Sequence, residues 1–523
     1  MNRMKRCLPV MICFLFAVST VWSQETDYHA VLTLHTDSTC REYNRMIFGQ
    51  FIEHFHRQVY GGIFEPGSKL SDKHGFRKDV IQALRDLGVP VVRWPGGCFV
   101  SAYHWLGGVG PVRTPVYDKA WHVEEPNTFG TDEFVTWCRK IGAEPYICTN
   151  AGTGTSEEMS DWVEYCNLRE MGKYAKMRIA NGFAEPHNVK YWSIGNENYG
   201  PWELGAKTAD EWGFFVRESA KLMLNVDHTI QLFAAALPDT AWTIPLLQRA
   251  GPYLNYISIH GYWDRLQEVN HPSDYLTCMR MSVLPEKRIQ NTIDILKRTG
   301  YDKKIKIAFD EWNLRSWHHP GHGKHTLGQD IEARILADDN STYTMADALF
   351  SACFLNSCLR NSEYVAMACM APVVNTRGPL YVYPEGLVKR STYHVLYLYA
   401  NHLQPNVLPA TITSDVMMVT EGNRSIPVPV VDALVTCSDD KTKMAVALIN
   451  RHPEKQVDCT ITSRKLPRSV EAFIISGDSP DAYNGINSPD RVIPVKKQVY
   501  IRDGIVIIPP HSLVILTIEP SVS

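Results

Sequence analysis

From about residue 46 to residue 390 the sequence switches eight times between a short apolar run and a longer polar or helical segment. The runs are Met46–Ile52, Val89–Trp94, Glu144–Thr149, Val189–Asn196, Ile230–Ala235, Tyr256–His260, Ile305–Glu311 and Tyr364–Met370. Each is continuously apolar rather than alternating, as a strand covered on both faces must be. Between them, Phe76–Leu87 carries Val80, Ile81, Leu84 and Leu87 near the 3.6-residue period. Thr131–Ile141 opens on a capping residue followed by acidic ones, and Ala209–Leu224, Glu286–Arg298 and Asp330–Leu359 also fit helices. A doubly wound open sheet and a closed (β/α)8 TIM barrel both satisfy this alternation. The count of eight, and acidic residues at the ends of the runs, favour the barrel.

After residue 390 the pattern changes to short β-rich runs such as Val428–Cys437, Met444–Asn450, Val470–Ile475 and Leu513–Ile518. Turn-forming clusters such as Gly422-Asn423 and Ser438-Asp439-Asp440 separate them, which predicts an antiparallel β-sandwich. Tyr28–Thr36 is strand-like and is expected to join that sandwich. The chain is thus expected to divide into a signal peptide (1–23), an N-terminal strand joining the sandwich (24–45), a (β/α)8 barrel (46–390) and a C-terminal sandwich (391–523).

The signal reading rests on the basic residues Arg3, Lys5 and Arg6, the apolar stretch Cys7–Val21 and the small Ser23 before Gln24. It predicts export, to a periplasm or beyond the cell. No later apolar stretch is long enough to span a bilayer, so no membrane association is expected after cleavage. The net charge of −3 gives no reason to expect nucleic acid. Thirteen cysteines include Cys7 and Cys13 in the leader; the other eleven form no CxxC pair. Several, such as Cys148, Cys353 and Cys369, sit in apolar runs, so buried free thiols are expected rather than a disulfide framework or a zinc site. His318, His319, His322 and His325 have spacing that could bind a metal, or could face solvent in a loop after the seventh strand. No metal and no cofactor is expected.

Glu197 ends the fourth run and Glu311 the seventh. A carboxylate there carries a desolvation cost with no benefit to stability unless it has work to do. Two carboxylates brought together by a fold are the minimum equipment for hydrolysing a glycosidic bond. The other run ends are also polar: Glu53-His54, Arg93 through Cys98, Asn150, Asn196, His260-Gly261-Tyr262 and Asp310-Glu311-Trp312-Asn313. Function in barrels of this kind sits at the strand C-termini.

These stretches resemble the α-L-arabinofuranosidases of glycoside hydrolase family 51, retaining enzymes with a barrel and a sandwich. The resemblance is carried by Phe48-Gly49-Gln50-Phe51-Ile52-Glu53-His54, Tyr60-Gly61-Gly62-Ile63, Arg93-Trp94-Pro95-Gly96-Gly97-Cys98-Phe99, Gly195-Asn196-Glu197-Asn198 and Phe309-Asp310-Glu311-Trp312-Asn313. It implies Glu197 as general acid/base, protonated at rest, and Glu311 as nucleophile kept ionised with help from Arg93. It further implies that Asn196 binds the sugar 2-hydroxyl, that Glu53 binds furanose hydroxyls, and that His260 and Tyr262 position the carboxylates. Cys98 falls in the substrate-binding set, although some members carry Asn there. The stretch Ala368-Cys369-Met370-Ala371-Pro372 lacks the Gln that would contact substrate. The implied substrate is an arabinose-containing oligosaccharide or polysaccharide, attacked at its terminal non-reducing residues, and a homo-oligomer is allowed. From the residues alone, other readings stay open. Arg93 could cap barrel carbonyls, Glu53 could be its structural partner, and His260 could be a satisfied core histidine. An endoglucanase or xylosidase on the same barrel, or a catalytically inactive carbohydrate-binding protein, would use the same fold.

Overall fold

The computed structural model describes residues 28–264, 271–316, 338–463 and 466–519. The expected leader at 1–23, the histidines from His318 to His325 and the first residues of the Asp330–Leu359 segment lie outside them. Eight strands close a barrel in chain order: β1 (Gly49–Phe51), β2 (Val91–Trp94), β3 (Glu144–Thr149), β4 (Tyr191–Ile194), β5 (Gln231–Ala235), β6 (Tyr256–Asp264), β7 (Lys306–Arg315) and β8 (Val365–Met370). Every neighbouring pair is parallel, and β8 returns to β1 through Cys369↔Gly49 and Met370↔Gln50. The molecule is a (β/α)8 barrel, the closed one of the two arrangements that the alternation allows. Residues Arg45–Phe48 form a 3-10 turn instead of the start of β1, because the Asn44 side chain accepts from the Met46 amide and caps it.

The helix Lys78–Leu87 buries Val80, Ile81, Leu84 and Leu87 and stops at Gly88, whose φ of 76° ends it in a left-handed cap. Thr131–Ile141 forms as read, Ala209–Val226 and Leu284–Thr299 run slightly longer, and Met345–Arg360 covers the described part of the segment predicted from 330. Met345–Arg360 has no polar face because it is sandwiched: every residue from Met345 to Leu359 is buried. At its end Asn356 and Arg360 donate to the two oxygens of Asp432 in the sandwich, at 3.0 and 2.8 Å. The helix Ser391–His402 packs on the barrel helix Lys78–Leu87, with Tyr393 Oη donating to the Ala83 carbonyl at 2.8 Å. The strand-rich region therefore begins after residue 402 rather than at 391.

Two sheets make the sandwich. One runs Ala410–Ser414, Tyr28–Leu34, Val457–Thr462, Ile505–Ile508; the other has seven strands centred on Met444–Asn450 and Ser512–Ile518. Tyr28–Leu34 does join, antiparallel to Ala410–Ser414 but parallel to Val457–Thr462; the remaining described sandwich pairs are antiparallel. Among the described residues no helix is long and apolar enough to cross a membrane.

Inside the barrel, Phe51, Val91, Tyr146, Tyr191, Phe233 and Tyr256 form a cluster of their own, with Phe233 and Tyr256 stacked at 4.1 Å. Burying rings of this kind contributes roughly 1.5–3 kcal/mol each. They plug the barrel below the Arg93 guanidinium, which lies 5.2 Å from the Phe51 ring centre. The plug makes a floor, so polar chemistry is confined to the strand C-termini above it.

Candidate active site

A bulge aims the end of β7. Ala308 belongs to the barrel interior, Phe309 packs outward on Phe354, and Trp312 stacks outward on the same ring at 3.8 Å. Strict alternation would turn Glu311 outward with Phe309. The register slips on both sides, between Ser258 and His260 on β6 and between Phe309 and Trp312 on β7. The extra residue lets Asp310 and Glu311 both face inward. At the end of β4 the chain turns sharply through Gly195 (φ 68°) and Glu197 (φ 43°). A left-handed Glu is a costly conformation that the surroundings must hold in place. Asn198 Oδ1 helps by accepting from the Asn196 amide at 3.1 Å.

Arg93, fully buried on β2, is the hub. Nη1 donates to Glu311 Oε2 at 2.9 Å, Nη2 to Asn196 Oδ1 at 2.7 Å, and Nε lies 3.5 Å from Asp310 Oδ2. Glu311 Oε1 accepts from Tyr262 Oη at 2.7 Å. Arg377 stacks over the Tyr262 ring at 4.8 Å and donates to its hydroxyl at 3.3 Å, which leaves the phenolic proton to point at Glu311. Asp310 is spent on scaffolding: Tyr146 and Ser258 donate to its two oxygens at 2.6 and 2.5 Å.

His260 bridges the carboxylates. Its Nδ1 is 2.8 Å from Glu197 Oε1 and 3.5 Å from Glu311 Oε2, and its Nε2 is 3.5 Å from Asp310. Burial opposes charging it, but the negative charge of Glu311 and bonds to Asp310 and Glu197 push its pKa up to about 10. Burial alone would raise Glu197; the His260 bond and charge, with donors Trp202 (2.9 Å) and Tyr199 (3.2 Å), carry it below its ordinary value. His260 and Glu197 thus form a direct proton-sharing contact at the end of the barrel. Oxygens of Glu197 and Glu311 and a nitrogen of His260 all lie within 4.8 Å of one another.

Glu53 follows β1. Its Oε1 accepts from the Gly97 and Phe99 amides and from Trp121 Nε1 at 3.0–3.1 Å, while its buried Oε2 has no partner among the described residues. Burial and the nearby Glu311 charge push its pKa to about 8, so it is protonated at neutral pH. Gly96 (φ 148°) is needed beneath it, because a Cβ there would fall 2.2 Å from Glu53 Cγ. Cys98 stands beside Glu197 and Glu203. Glu203 accepts from Asn196 Nδ2 at 3.2 Å and is pushed to about 7, by burial first and the Glu197 charge second.

Glu53, Arg93, Cys98, Asn196, Glu197, His260, Tyr262 and Glu311 are therefore neighbours at the C-terminal end of the barrel strands. Three other strand-end polar groups bond to scaffold instead. His54 joins Glu125 and Trp94, Asn150 folds onto its own turn, and Asn313 donates to the Ala371 and Arg377 carbonyls. The sequence marks Asp310 as a polar strand end without showing its role, and gives Arg377 none; it does not single out Tyr146 and Ser258, inward positions on the same strands, or Trp121, Tyr199, Trp202 and Glu203, which come from loops with no periodic signal. Trp202 is 60% exposed although it touches Glu197.

A closed barrel with two carboxylates this close at the ends of β4 and β7, one tied to a cation and one to a histidine, is the equipment of a glycoside hydrolase. Comparison with known proteins narrows the class. The family model described as Alpha-L-arabinofuranosidase 1 domain matches residues 83–279, and the one described as Alpha-L-arabinofuranosidase C-terminal domain matches 310–512. Alpha-L-arabinofuranosidase C of Emericella nidulans is 34% identical over 93% of this chain and 96% of its own. An intracellular exo-alpha-(1->5)-L-arabinofuranosidase of Halalkalibacterium halodurans is 34% identical over 85% of this chain and 89% of its own. The alpha-L-arabinofuranosidase of Thermotoga maritima, solved as an arabinose complex, superposes with a TM-score of 0.81 at 32% identity, covering 94% of this chain and 100% of that one. The chain belongs to the α-L-arabinofuranosidases of glycoside hydrolase family 51.

Proposed function

We propose that the protein removes terminal non-reducing α-L-arabinofuranosyl residues from arabinose-containing plant polysaccharides or oligosaccharides, with retention of configuration. The observation that carries the mechanism is the approach of Glu197 and Glu311 within 4.8 Å. Retaining glycosidases hold their carboxyls roughly 5–5.5 Å apart, whereas inverting ones leave roughly 6.5–9.5 Å for a water. The family membership, the hub on Arg93 and the names of the relatives support arabinofuranose as the sugar.

In this reading Glu311 is the nucleophile. Arg93 and Tyr262 each donate to one of its two oxygens, which fixes the plane of the carboxylate for attack on the anomeric carbon. Glu197 is the acid/base. As the glycosidic bond breaks, the leaving oxygen takes through Glu197 the one proton that Glu197 shares with His260 at 2.8 Å, which leaves Glu197 ionised. Forming the glycosyl ester removes the Glu311 charge, which lowers the proton affinity of both His260 and Glu197. Glu197 can then take a proton from water as the water attacks the ester. Protonated Glu53 offers its free Oε2–H to a sugar hydroxyl, and Asn196 is fixed between Arg93 and Glu203 to meet the 2-hydroxyl. The exposed face of Trp202 beside Glu197 offers a surface to the departing part of the substrate. The basic and apolar leader supports export.

The direct test is turnover of an aryl α-L-arabinofuranoside. Glu311→Ala should abolish it, and wild-type-like activity would sink the assignment. Glu197→Ala should be partly rescued by azide on a substrate with a good leaving group; a folded variant with no rescue would count against the acid/base role. Aryl pyranosides tested alongside separate this reading from a xylosidase.

A further inference from the structure

Cys40 lies just before the edge strand Arg41–Glu42, and Cys437 ends the strand Val431–Cys437, 397 residues later. Their Sγ atoms are 2.7 Å apart, closer than two unbonded sulfur atoms ordinarily approach. Three features hold the pair. Asn406 is the register partner of both Glu42 and Cys437, so the two cysteine-bearing segments flank one short strand. Lys441, in the turn after Cys437, donates to the Thr36 and Ser38 carbonyls at 3.0 and 2.8 Å and draws the segment before Cys40 over that turn. The Asn406 side chain also reaches the Cys437 carbonyl and Asp439. Among the described residues no other two cysteines make such a contact, and most of the remaining cysteines are buried singly.

We infer that Cys40 and Cys437 are a disulfide site that staples the N-terminal segment to the seven-stranded sheet of the sandwich. The oxidant is a small disulfide of the glutathione type. Cys40, the partly exposed member, attacks as thiolate at one sulfur of the small disulfide and expels one small thiol. Cys437, deprotonated in turn, attacks the Cys40 sulfur of the mixed disulfide and expels the second. The two protein thiols are oxidised, the small disulfide is reduced to two thiols, and the protons leave with the expelled thiolates. The bond would close a loop containing the whole barrel, and a cross-link of that span restricts the unfolded chain strongly. Export would bring the site into an oxidising compartment. The pair lies in the sandwich, away from Glu197 and Glu311, so turnover should not depend on its redox state.

The experiment is to incubate the purified full chain with oxidised glutathione, then count thiols in denaturant and map peptides. Two thiols should disappear, with one cross-linked pair containing Cys40 and Cys437, reversed by dithiothreitol. The oxidised form should melt several degrees above the reduced form at equal activity. Cys40→Ser should lose no thiol pair to oxidation and show no such gain, while its melting matches the reduced wild type. Retention of every thiol by the wild type, or a cross-link through other cysteines, would overturn the inference.

Discussion

Arg93→Met tests the hub of the site. The substitution keeps an unbranched side chain over Phe51 but removes the guanidinium that sits 2.9 Å from Glu311 and 3.5 Å from Asp310. With the charge centres about 4 Å apart and an effective dielectric of about 20, the lost attraction is about 4 kcal/mol. That equals about 3 pH units in favour of the protonated carboxyl. The acid limb of kcat/KM should therefore move upward by as much as about 3 units, with the largest loss, up to about a thousandfold, on the acid side of the moved limb and only a few-fold near neutrality. Breaking a buried ion pair also costs about 3–5 kcal/mol of stability. The sign of its pH dependence follows. In the variant the orphaned carboxyls hold their protons to higher pH folded than unfolded, so it regains stability as pH falls. The assay is kcat/KM for an aryl α-L-arabinofuranoside across the acid and neutral range, with denaturation at matched pH. Arg93→Lys keeps the charge but not the fork to Asn196; it should restore much of the limb and less of the rate. A folded Arg93→Met enzyme with an unmoved acid limb would refute the reasoning.

Glu203, pushed up to about 7 from an ordinary value of 4.5, takes its proton in the folded state before the unfolded one does, so it adds stability as pH falls from about 7 towards 4.5. Glu203→Gln should flatten that part of the stability profile in chemical denaturation; an unchanged slope would count against a titrating Glu203. Trp202→Ala removes the 2.9 Å donor to Glu197 and the exposed ring, and should lower kcat/KM by roughly tenfold to a hundredfold, more on oligosaccharides than on activated aryl substrates. Equal losses on both would limit Trp202 to holding Glu197. Gly96→Ala should leave the melting cooperative but displace Glu53, with kcat/KM down by about a hundredfold or more, since about 3 kcal/mol of binding by a buried polar group is at stake. A variant of normal activity would mean that Glu53 does not bind the sugar.

The barrel was legible because its strands are buried on both faces, and continuous apolar runs such as Val189–Asn196 and Ile305–Glu311 have few other uses. Helices were read less well. Thr240–Ala250 hides behind Pro245, and Ser391–His402 falls past the expected boundary because its apolar residues are not confined to one helical stripe. The paired glutamates were legible as polar ends of apolar strands. Their supports were not. The inward turn of Glu311 depends on a bulge, which no periodicity announces. Arg377, Trp121 and Glu203 reach the site from loops whose paths are set by tertiary contacts. His260 was visible as a neighbour, but its 2.8 Å bond to Glu197 belongs to the fold.

The central claim is double displacement through Glu311 with Glu197 as acid/base. It is tested most directly by running the reaction with methanol as competing acceptor and reading the first-formed methyl arabinofuranoside by proton NMR. Two inversions at the anomeric carbon must give methyl α-L-arabinofuranoside from an α-linked substrate. Methyl β-L-arabinofuranoside as the initial product would mean a single displacement and would contradict the account.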